Sequence, residues 1–228
     1  TIATPGSDCI WTDPQKGHLL RTQTAGEEIA NTISHGAGVL LAVAAVPILV
    51  VGAVRRGTAA DIVGASIFGA AMVLMYLTST LYHALPQGRA KKVFRVLDHS
   101  AIFLMIAGTY TPFTLGVLFG GWGWTLFGLV WGVAVAGIVL KAVAGFRFRV
   151  FSTLLYIAMG WLIVIAVKPL INGMETAGLV WLLAGGLAYT GGTAVYAVQK
   201  VRYSHFIWHL FVLAGSTCHF FAVFGYAA

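Results

Sequence analysis

Three histidines, an aspartate and a serine stand out in a chain that is otherwise mostly apolar. They lie in two short motifs and at one position between them: Ser79 with His83, then Asp98, then His205 with His209. His205 and His209 are four residues apart, which places both imidazole rings on one helix face, within reach of a single ion. Ser79 and His83 have the same spacing. Three imidazoles and a nearby carboxylate are typical of a zinc site, which the sequence therefore predicts.

The expected role of each residue follows from what a catalytic zinc ion needs. We predict that His83, His205 and His209 bind the ion, because three protein ligands and one open position are typical of catalytic zinc. Such an ion lowers the pKa of a bound water and makes it a nucleophile. Asp98 would accept a hydrogen bond from that water or bind the metal directly, and Ser79 would orient the water. The alternative, which fits any one histidine taken alone, is an interfacial residue that solvates the headgroup region.

Four further polar residues fall on helix faces that could meet this set. Glu28, Asn31 and His35 follow the spacing i, i+3 and i+7, so they share one helix face. They either support the metal ligands or form a capping and packing cluster. His219 lies on nearly the same face as His209 but about 15 Å farther along the axis, at 1.5 Å per residue. It therefore cannot bind the same ion, and it either lines a cavity or packs as a core histidine.

The elements that carry these residues are expected to be membrane-spanning helices. Of the 228 residues, 59% are apolar and 9% are charged, and the mean hydropathy is +0.87. A soluble domain carries roughly 25% charged residues, so this composition predicts an integral membrane protein. A spanning helix needs about 20 mostly apolar residues. Seven stretches meet this requirement, at 29–54, 61–85, 96–118, 121–143, 150–169, 177–199 and 205–226.

This pattern predicts an all-α fold, a bundle of seven transmembrane helices over residues 28–228. No break between the spans is long enough for a second domain. Residues 1–27 are polar and lack the basic start and apolar core of a signal peptide, so we expect a cytoplasmic leader there. The formal net charge of +7 indicates membrane orientation and attraction to anionic lipid. The expected partners are membrane lipids, and nucleic acid is not expected to bind.

The basic residues also predict the orientation in the membrane. If the N-terminus is cytoplasmic, 11 of the 14 Lys and Arg residues lie in cytoplasmic segments, and the other three are Arg55, Arg56 and Lys168. Because Lys and Arg are enriched on the cytoplasmic side, we predict an internal N-terminus and an external C-terminus. The ends of the second, third and seventh helices that carry the predicted zinc site then share one depth, in the cytoplasmic leaflet.

Four motifs occur in a fixed order over about residues 27–226. They are Glu27-Glu28-Ile29-Ala30-Asn31 with Ser34-His35-Gly36, Ser79-Thr80-Leu81-Tyr82-His83, Leu97-Asp98-His99-Ser100, and His205-Phe206-Ile207-Trp208-His209. Together they resemble the PAQR family, and more closely its bacterial hemolysin III branch. The resemblance implies a zinc site near the cytoplasmic face, with Ser79, His83, Asp98, His205 and His209 as its members. It also implies N-inside topology and, for a bacterial member, residence in the inner membrane.

The residues and the resemblance together leave three function classes open, all concerned with membrane lipids. The first is a zinc-dependent hydrolase of a lipid amide or ester, since relatives in this family are linked to ceramidase-type hydrolysis. The second is a non-enzymatic, receptor-like sensor of membrane fluidity in lipid homeostasis. The third is a pore-forming hemolysin, which a compact seven-helix bundle supports least. A retinal pump is excluded, because the seventh helix has no lysine for a Schiff base.

The predicted orientation can be tested with a reporter that is active only in the cytoplasm. Fused to the C-terminus, it should be silent, because the excess of basic residues places that end outside. The same reporter inserted at Gly88, between the second and third spans, should be active and serves as the control. An active C-terminal fusion would overturn the orientation and move the histidines to the opposite leaflet.

Overall fold

The computed structural model describes residues 11–12, 19–20, 23–198 and 201–227. Two two-residue strands, β1 (Trp11–Thr12) and β2 (Leu19–Leu20), pair antiparallel ahead of the helices. The rest of the expected leader up to residue 22 lies outside the described residues, as do residues 199, 200 and 228. The division of the chain at residues 27 and 28 stays a prediction.

Over its described part, the chain has seven helical spans that are long and apolar enough to cross a membrane. This confirms the all-α, seven-span fold expected from the sequence. The fifth span consists of α5, a 3-10 turn and α6. The helices are α1 (Ala25–Arg56), α2 (Ala59–Ala84), α3 (Arg89–Leu115), α4 (Gly121–Ala144), α5 (Arg149–Gly160), α6 (Val167–Gly173), α7 (Thr176–Ala197) and α8 (Ser204–Tyr226).

The third helix begins seven residues before the apolar stretch that predicted it. Its first two turns, from Arg89 to Arg95, are rich in Lys and Arg, which are good helix formers but do not belong to a hydrocarbon span. The fifth span ends later than expected, at Gly173, because Pro169 lies in the first turn of α6. Proline is tolerated there, since its missing N–H has no partner in a first helical turn.

The starts of α1 and α8 are held together by one carboxylate. Thr24 caps α1: its backbone N–H donates to Glu27 Oε2 at 2.8 Å, and the Glu27 N–H donates to Thr24 Oγ1 at 3.3 Å. The other Glu27 oxygen accepts from the backbone N–H of Tyr203 at 2.8 Å. Tyr203 immediately precedes α8 and has a left-handed φ of 59°, which is uncommon for a residue other than glycine. This bond fixes where His205 enters the bundle.

Close packing joins the same helices deeper in the bundle. A Cβ at Gly38 of α1 would lie 2.6 Å from the ring of Tyr76 on α2, so only glycine fits at this contact. The Tyr76 hydroxyl donates to Ser216 Oγ on α8 at 2.7 Å. Small residues that allow close approach, and hydrogen bonds between helices, hold membrane bundles together, because lipid gives no hydrophobic driving force. Side chains such as Leu40 and Leu41 on the outer face of α1 are exposed and suited to lipid.

The fifth span is broken in its middle by the 3-10 turn Leu162–Ala166, which the sequence did not predict. The Tyr110 hydroxyl of α3 contacts the backbone at the break. It donates to the carbonyls of Met159 at 2.9 Å and Gly160 at 3.0 Å, and it accepts from the N–H of Ile163 at 2.8 Å. Irregular backbone at membrane depth is tolerated only where protein or a cavity satisfies its polar groups. Tyr110 therefore makes the break possible.

We expect Tyr110→Phe to destabilise the protein by about 1–3 kcal/mol, because it removes the partner of the partly buried Ile163 backbone N–H. Thermal unfolding in detergent should show a loss of several degrees, at roughly 2–4 °C per kcal/mol for a chain of this size. Tyr226→Phe is the matched control, since the Tyr226 hydroxyl has no hydrogen bond to any described residue. Equal melting temperatures for the two variants would contradict this role of Tyr110.

Candidate metal centre

The three predicted metal ligands come together between α2 and α8. The ligand atoms of His83, His205 and His209 all lie within 4.8 Å of one another. The Nε2 atoms of His83 and His205 are 3.1 Å apart. His83 is 3% exposed and His209 1%, so the group lies inside the bundle. It is the one group of three potential ligands of this kind in the described ranges.

Glu28 of α1 fixes the orientation and tautomer of the His83 ring. Its Oε2 accepts a hydrogen bond from His83 Nδ1 at 2.7 Å, so the proton is on Nδ1 and the Nε2 lone pair faces His205. Lys91 lies 3.1 Å from the other Glu28 oxygen and donates to the His83 carbonyl at 3.4 Å. A carboxylate behind a metal-ligating imidazole raises its basicity and holds its direction. The sequence singled out Glu28 but did not point to Lys91.

Ser34 holds the second ring in the same way. Its hydroxyl donates to the Asn31 carbonyl at 2.9 Å, so its oxygen accepts from His209 Nδ1 at 3.1 Å. The Nε2 lone pair of His209 is therefore free. Sequence reasoning did not select Ser34 as a site residue. The available signal was its position three residues after Asn31, on the face that Asn31 and His35 share.

These contacts test whether the three residues fit a metal ion. His83 and His209 both have a proton on Nδ1 and a bare Nε2, which is the form that binds metal. The short distance from His83 Nε2 to His205 Nε2 requires a proton or a cation between the two lone pairs. Neutral imidazole donors suit zinc, whereas calcium and magnesium prefer oxygen ligands. The group can bind a metal ion, and its chemistry fits zinc.

Asp98 and Ser79 lie in the wall of the cavity onto which this group opens. Asp98 is not one of the three residues whose ligand atoms cluster, and its Oδ2 is 3.3 Å from Nδ1 of His99. Adjacent residues on a helix point about 100° apart, so their spacing alone does not predict this contact. The Ser79 hydroxyl is buried and has no hydrogen-bond partner among the described residues. A buried hydroxyl without a partner is suited to holding a water or a ligand.

Asn31 and His35 both contact the ligands from α1. Asn31 Nδ2 lies 3.5 Å from His83 Nδ1 and donates to Gln23 Oε1 at 2.7 Å. The His35 ring stacks on His209, with the ring centroids 3.5 Å apart. Neither His35 nitrogen has a hydrogen bond within the described ranges, and His35 also faces the cavity. The shared helix face predicted for α1 is therefore directed at the three clustered histidines.

His219 lies deeper along α8. It both lines a cavity and packs as a core histidine, the two alternatives that its sequence position left open. It lines the same cavity, and its Nε2 donates to the backbone carbonyl of Leu182 at 3.2 Å. Its ring centroid is 5.4 Å from that of Tyr189, whose hydroxyl is 2.8 Å from Ser216 Oγ. His219 therefore marks a polar region that is separate from the three clustered histidines.

The cavity beside the histidines measures about 400 Å³, a size typical of pockets for small molecules. Asp98, Ser79 and the histidines lie on α2, α3 and α8 towards one end of the bundle. Most of the remaining wall is apolar and comes from α2, α3, the broken fifth span, α7 and α8. Representative lining residues are Met75, Met105, Ile157, Leu179, Leu183 and Val212. This polarity fits an apolar molecule with a polar end.

Comparisons with known proteins point to one family. The family described as Haemolysin-III related matches residues 23–220. The chain is 47% identical over 205 residues to Hemolysin-3 of Bacillus cereus, covering 90% of this chain and 94% of that protein. It is 48% identical over 203 residues to the Hemolysin-3 homolog of Bacillus subtilis (strain 168), covering 89% and 95%. A more distant relative, the human Monocyte to macrophage differentiation factor, is 26% identical over 170 residues, covering 70% and 68%.

Protein purified without chelators should contain about one zinc ion per chain by elemental analysis. His205→Ala or His209→Ala should remove most of it, and Glu28→Ala should weaken zinc binding by about 10–100-fold, as loss of a supporting hydrogen bond does at other sites. His219→Ala is the matched control and should keep the metal, because His219 lies about 15 Å along the helix from His209. Equal metal loss in the control and in His209→Ala would contradict the site.

Proposed function

The chain belongs to the haemolysin-III-related family, and from this premise we propose that it is a zinc-dependent hydrolase of a lipid amide or ester. The comparisons confirm the family that the four motifs suggested. The protein is an integral membrane protein of the bacterial plasma membrane. One observation carries the proposed activity: two of the three clustered imidazoles, those of His205 and His209, line a large apolar cavity, whose wall also contains Asp98 and a serine hydroxyl without a partner among the described residues.

His83, His205 and His209 would hold the ion. When bound, zinc supplies Lewis-acid chemistry, which polarises a carbonyl group and makes a water molecule more acidic. Glu28 keeps the His83 proton on Nδ1 throughout, so that Nε2 stays available to the ion. Ser34 does the same for His209. The ligand set therefore needs no proton rearrangement before it can act.

The remaining steps fall to Asp98, Ser79 and the apolar wall. The wall binds the acyl chain and excludes bulk water, which strengthens the polar interactions at the reacting carbonyl. Ser79 Oγ orients the attacking water. The Asp98 carboxylate accepts a proton from that water as it attacks and then passes the proton to the leaving amine or alcohol. One water is consumed, and a fatty acid and an amine or alcohol are released.

A second candidate, a sensor of membrane fluidity, is supported by the same cavity. A chamber of about 400 Å³ could hold a lipid without cleaving it, and its occupancy would follow membrane composition. A pore-forming role is the third candidate, and two bacterial relatives are named as a hemolysin and a hemolysin homolog. The mostly apolar cavity wall does not favour a water-filled pore through this chain. The two candidates differ in whether Asp98 must accept a proton.

Asp98→Asn separates hydrolysis from sensing. The amide cannot act as a base, so turnover should fall by about 100-fold or more while the zinc content is retained. Alanine variants of the histidines should lose both zinc and turnover. Glu175→Gln, at an exposed carboxylate away from the cavity, is the matched control and should leave both unchanged.

The assay would follow zinc-dependent cleavage of ceramides, other N-acyl lipids and phospholipids by mass spectrometry, beside membrane fluidity in cells. The hydrolase is supported if one class is cleaved and Asp98→Asn abolishes that cleavage. If no class is cleaved, and Asp98→Asn still restores the fluidity response of cells that lack the protein, the hydrolase is wrong and the sensor replaces it.

A further inference from the structure

Lys141 is a buried cation without an anionic partner among the residues that the structure describes. It lies in the last turn of α4 and is 1% exposed. Within the described ranges its ammonium group makes no hydrogen bond and no ion pair, and its recorded contact is the face of the Phe146 ring, 5.1 Å from Nζ. Burial of a charge is costly unless an opposite charge or strong hydrogen bonds compensate it. The described surroundings of Lys141 therefore lack a compensating negative charge.

An anionic group can reach Lys141 from the cavity. Lys141 and Arg149 both line the chamber that His205 and His209 border. Arg149 begins α5, and its Nη2 donates to the Tyr196 hydroxyl at 2.9 Å, also in the cavity wall. Among the described residues of that wall, the one carboxylate is Asp98, whose Oδ2 lies 3.3 Å from Nδ1 of His99. This region of the cavity therefore carries an excess of positive charge beside a mostly apolar chamber.

A sharp turn after α4 arranges the basic residues around one ring. Gly145 ends the helix with a φ of 57°, a conformation that favours glycine, and the chain then places Phe146 against Lys141. The guanidinium of Arg95 lies 3.9 Å from the centre of the same ring, and His99 packs edge-on to it at 4.7 Å. Arg95 is exposed at the start of α3. Positive charge thus continues from the surface towards the cavity.

We propose that Lys141 and Arg149 bind the anionic head of a membrane lipid, a phosphate or carboxylate, whose acyl chain occupies the apolar chamber. Arginine binds such groups through paired N–H donors, and lysine supplies a point charge. A free inorganic anion could satisfy Lys141 but would leave the apolar chamber unused. The site goes beyond the proposed hydrolysis, because it requires binding of an anionic lipid and not its cleavage.

The test uses the full chain in nanodiscs of equal parts phosphatidylglycerol and phosphatidylcholine, followed by native mass spectrometry of the retained lipid. The wild-type protein should retain phosphatidylglycerol preferentially. Lys141→Gln should lower that preference by about tenfold, the usual effect of losing one charge-assisted hydrogen bond. Lys92→Gln removes an equal charge from an exposed lysine of α3 and should have no effect. Unchanged preference in Lys141→Gln would overturn the proposal.

Thermal unfolding in detergent shows whether the Lys141→Gln variant is folded, so that a loss of lipid binding is not mistaken for misfolding. Without lipid, Lys141→Gln should be at least as stable as the wild type, because it removes a buried charge that has no opposite charge beside it in the described part of the chain. Added phosphatidylglycerol should raise the melting temperature of the wild type only, and inorganic phosphate alone should not. Equal stabilisation by phosphate would show an anion site without lipid selectivity. His205→Ala should still retain phosphatidylglycerol, so failure of the hydrolase and failure of this site are distinguishable.

Discussion

The hydrogen bond from His83 to Glu28 is the interaction on which the rest of the site depends. It connects α1 to α2, keeps the His83 proton on Nδ1 and turns Nε2 towards His205. Ser34, six residues farther along α1, orients the ring of His209 in the same way. The first helix contributes no clustered ligand of its own, yet it determines the direction of two of the three imidazoles. The neighbouring carboxylate of Glu27 anchors the start of α8, so α1 positions both ligand helices.

The polar histidine cluster borders a mostly apolar cavity. Its wall is mostly apolar, and it includes the irregular backbone around Ile163. The break in the fifth span therefore has a structural explanation, because Tyr110 satisfies the freed backbone groups. Histidines at the border of the cavity, Asp98 in its wall and Lys141 near the end of α4 make the chamber chemically asymmetric. An amphiphile could bind such a chamber in one direction.

The sequence predicted those features that depend on local spacing and composition. The seven spans follow from hydropathy, and the clustering of His205 with His209 follows from helical periodicity. The meeting of His83 with them followed from the expected topology. The sequence did not reveal the break in the fifth span, because no proline or glycine pair marks Leu162–Ala166 and the stabilising hydroxyl comes from α3. It also missed Ser34 and Lys141, whose significance depends on contacts between helices distant in the chain.

The most direct test of the metal centre is zinc K-edge X-ray absorption of the full chain in detergent. The account predicts scattering from three imidazole nitrogens at roughly 2.0–2.1 Å and a further light atom at the open position. Any zinc that the His205→Ala variant retains should be coordinated by two imidazole nitrogens. A spectrum dominated by sulfur at about 2.3 Å, or one that His205→Ala leaves unchanged, would contradict the assignment of these three histidines.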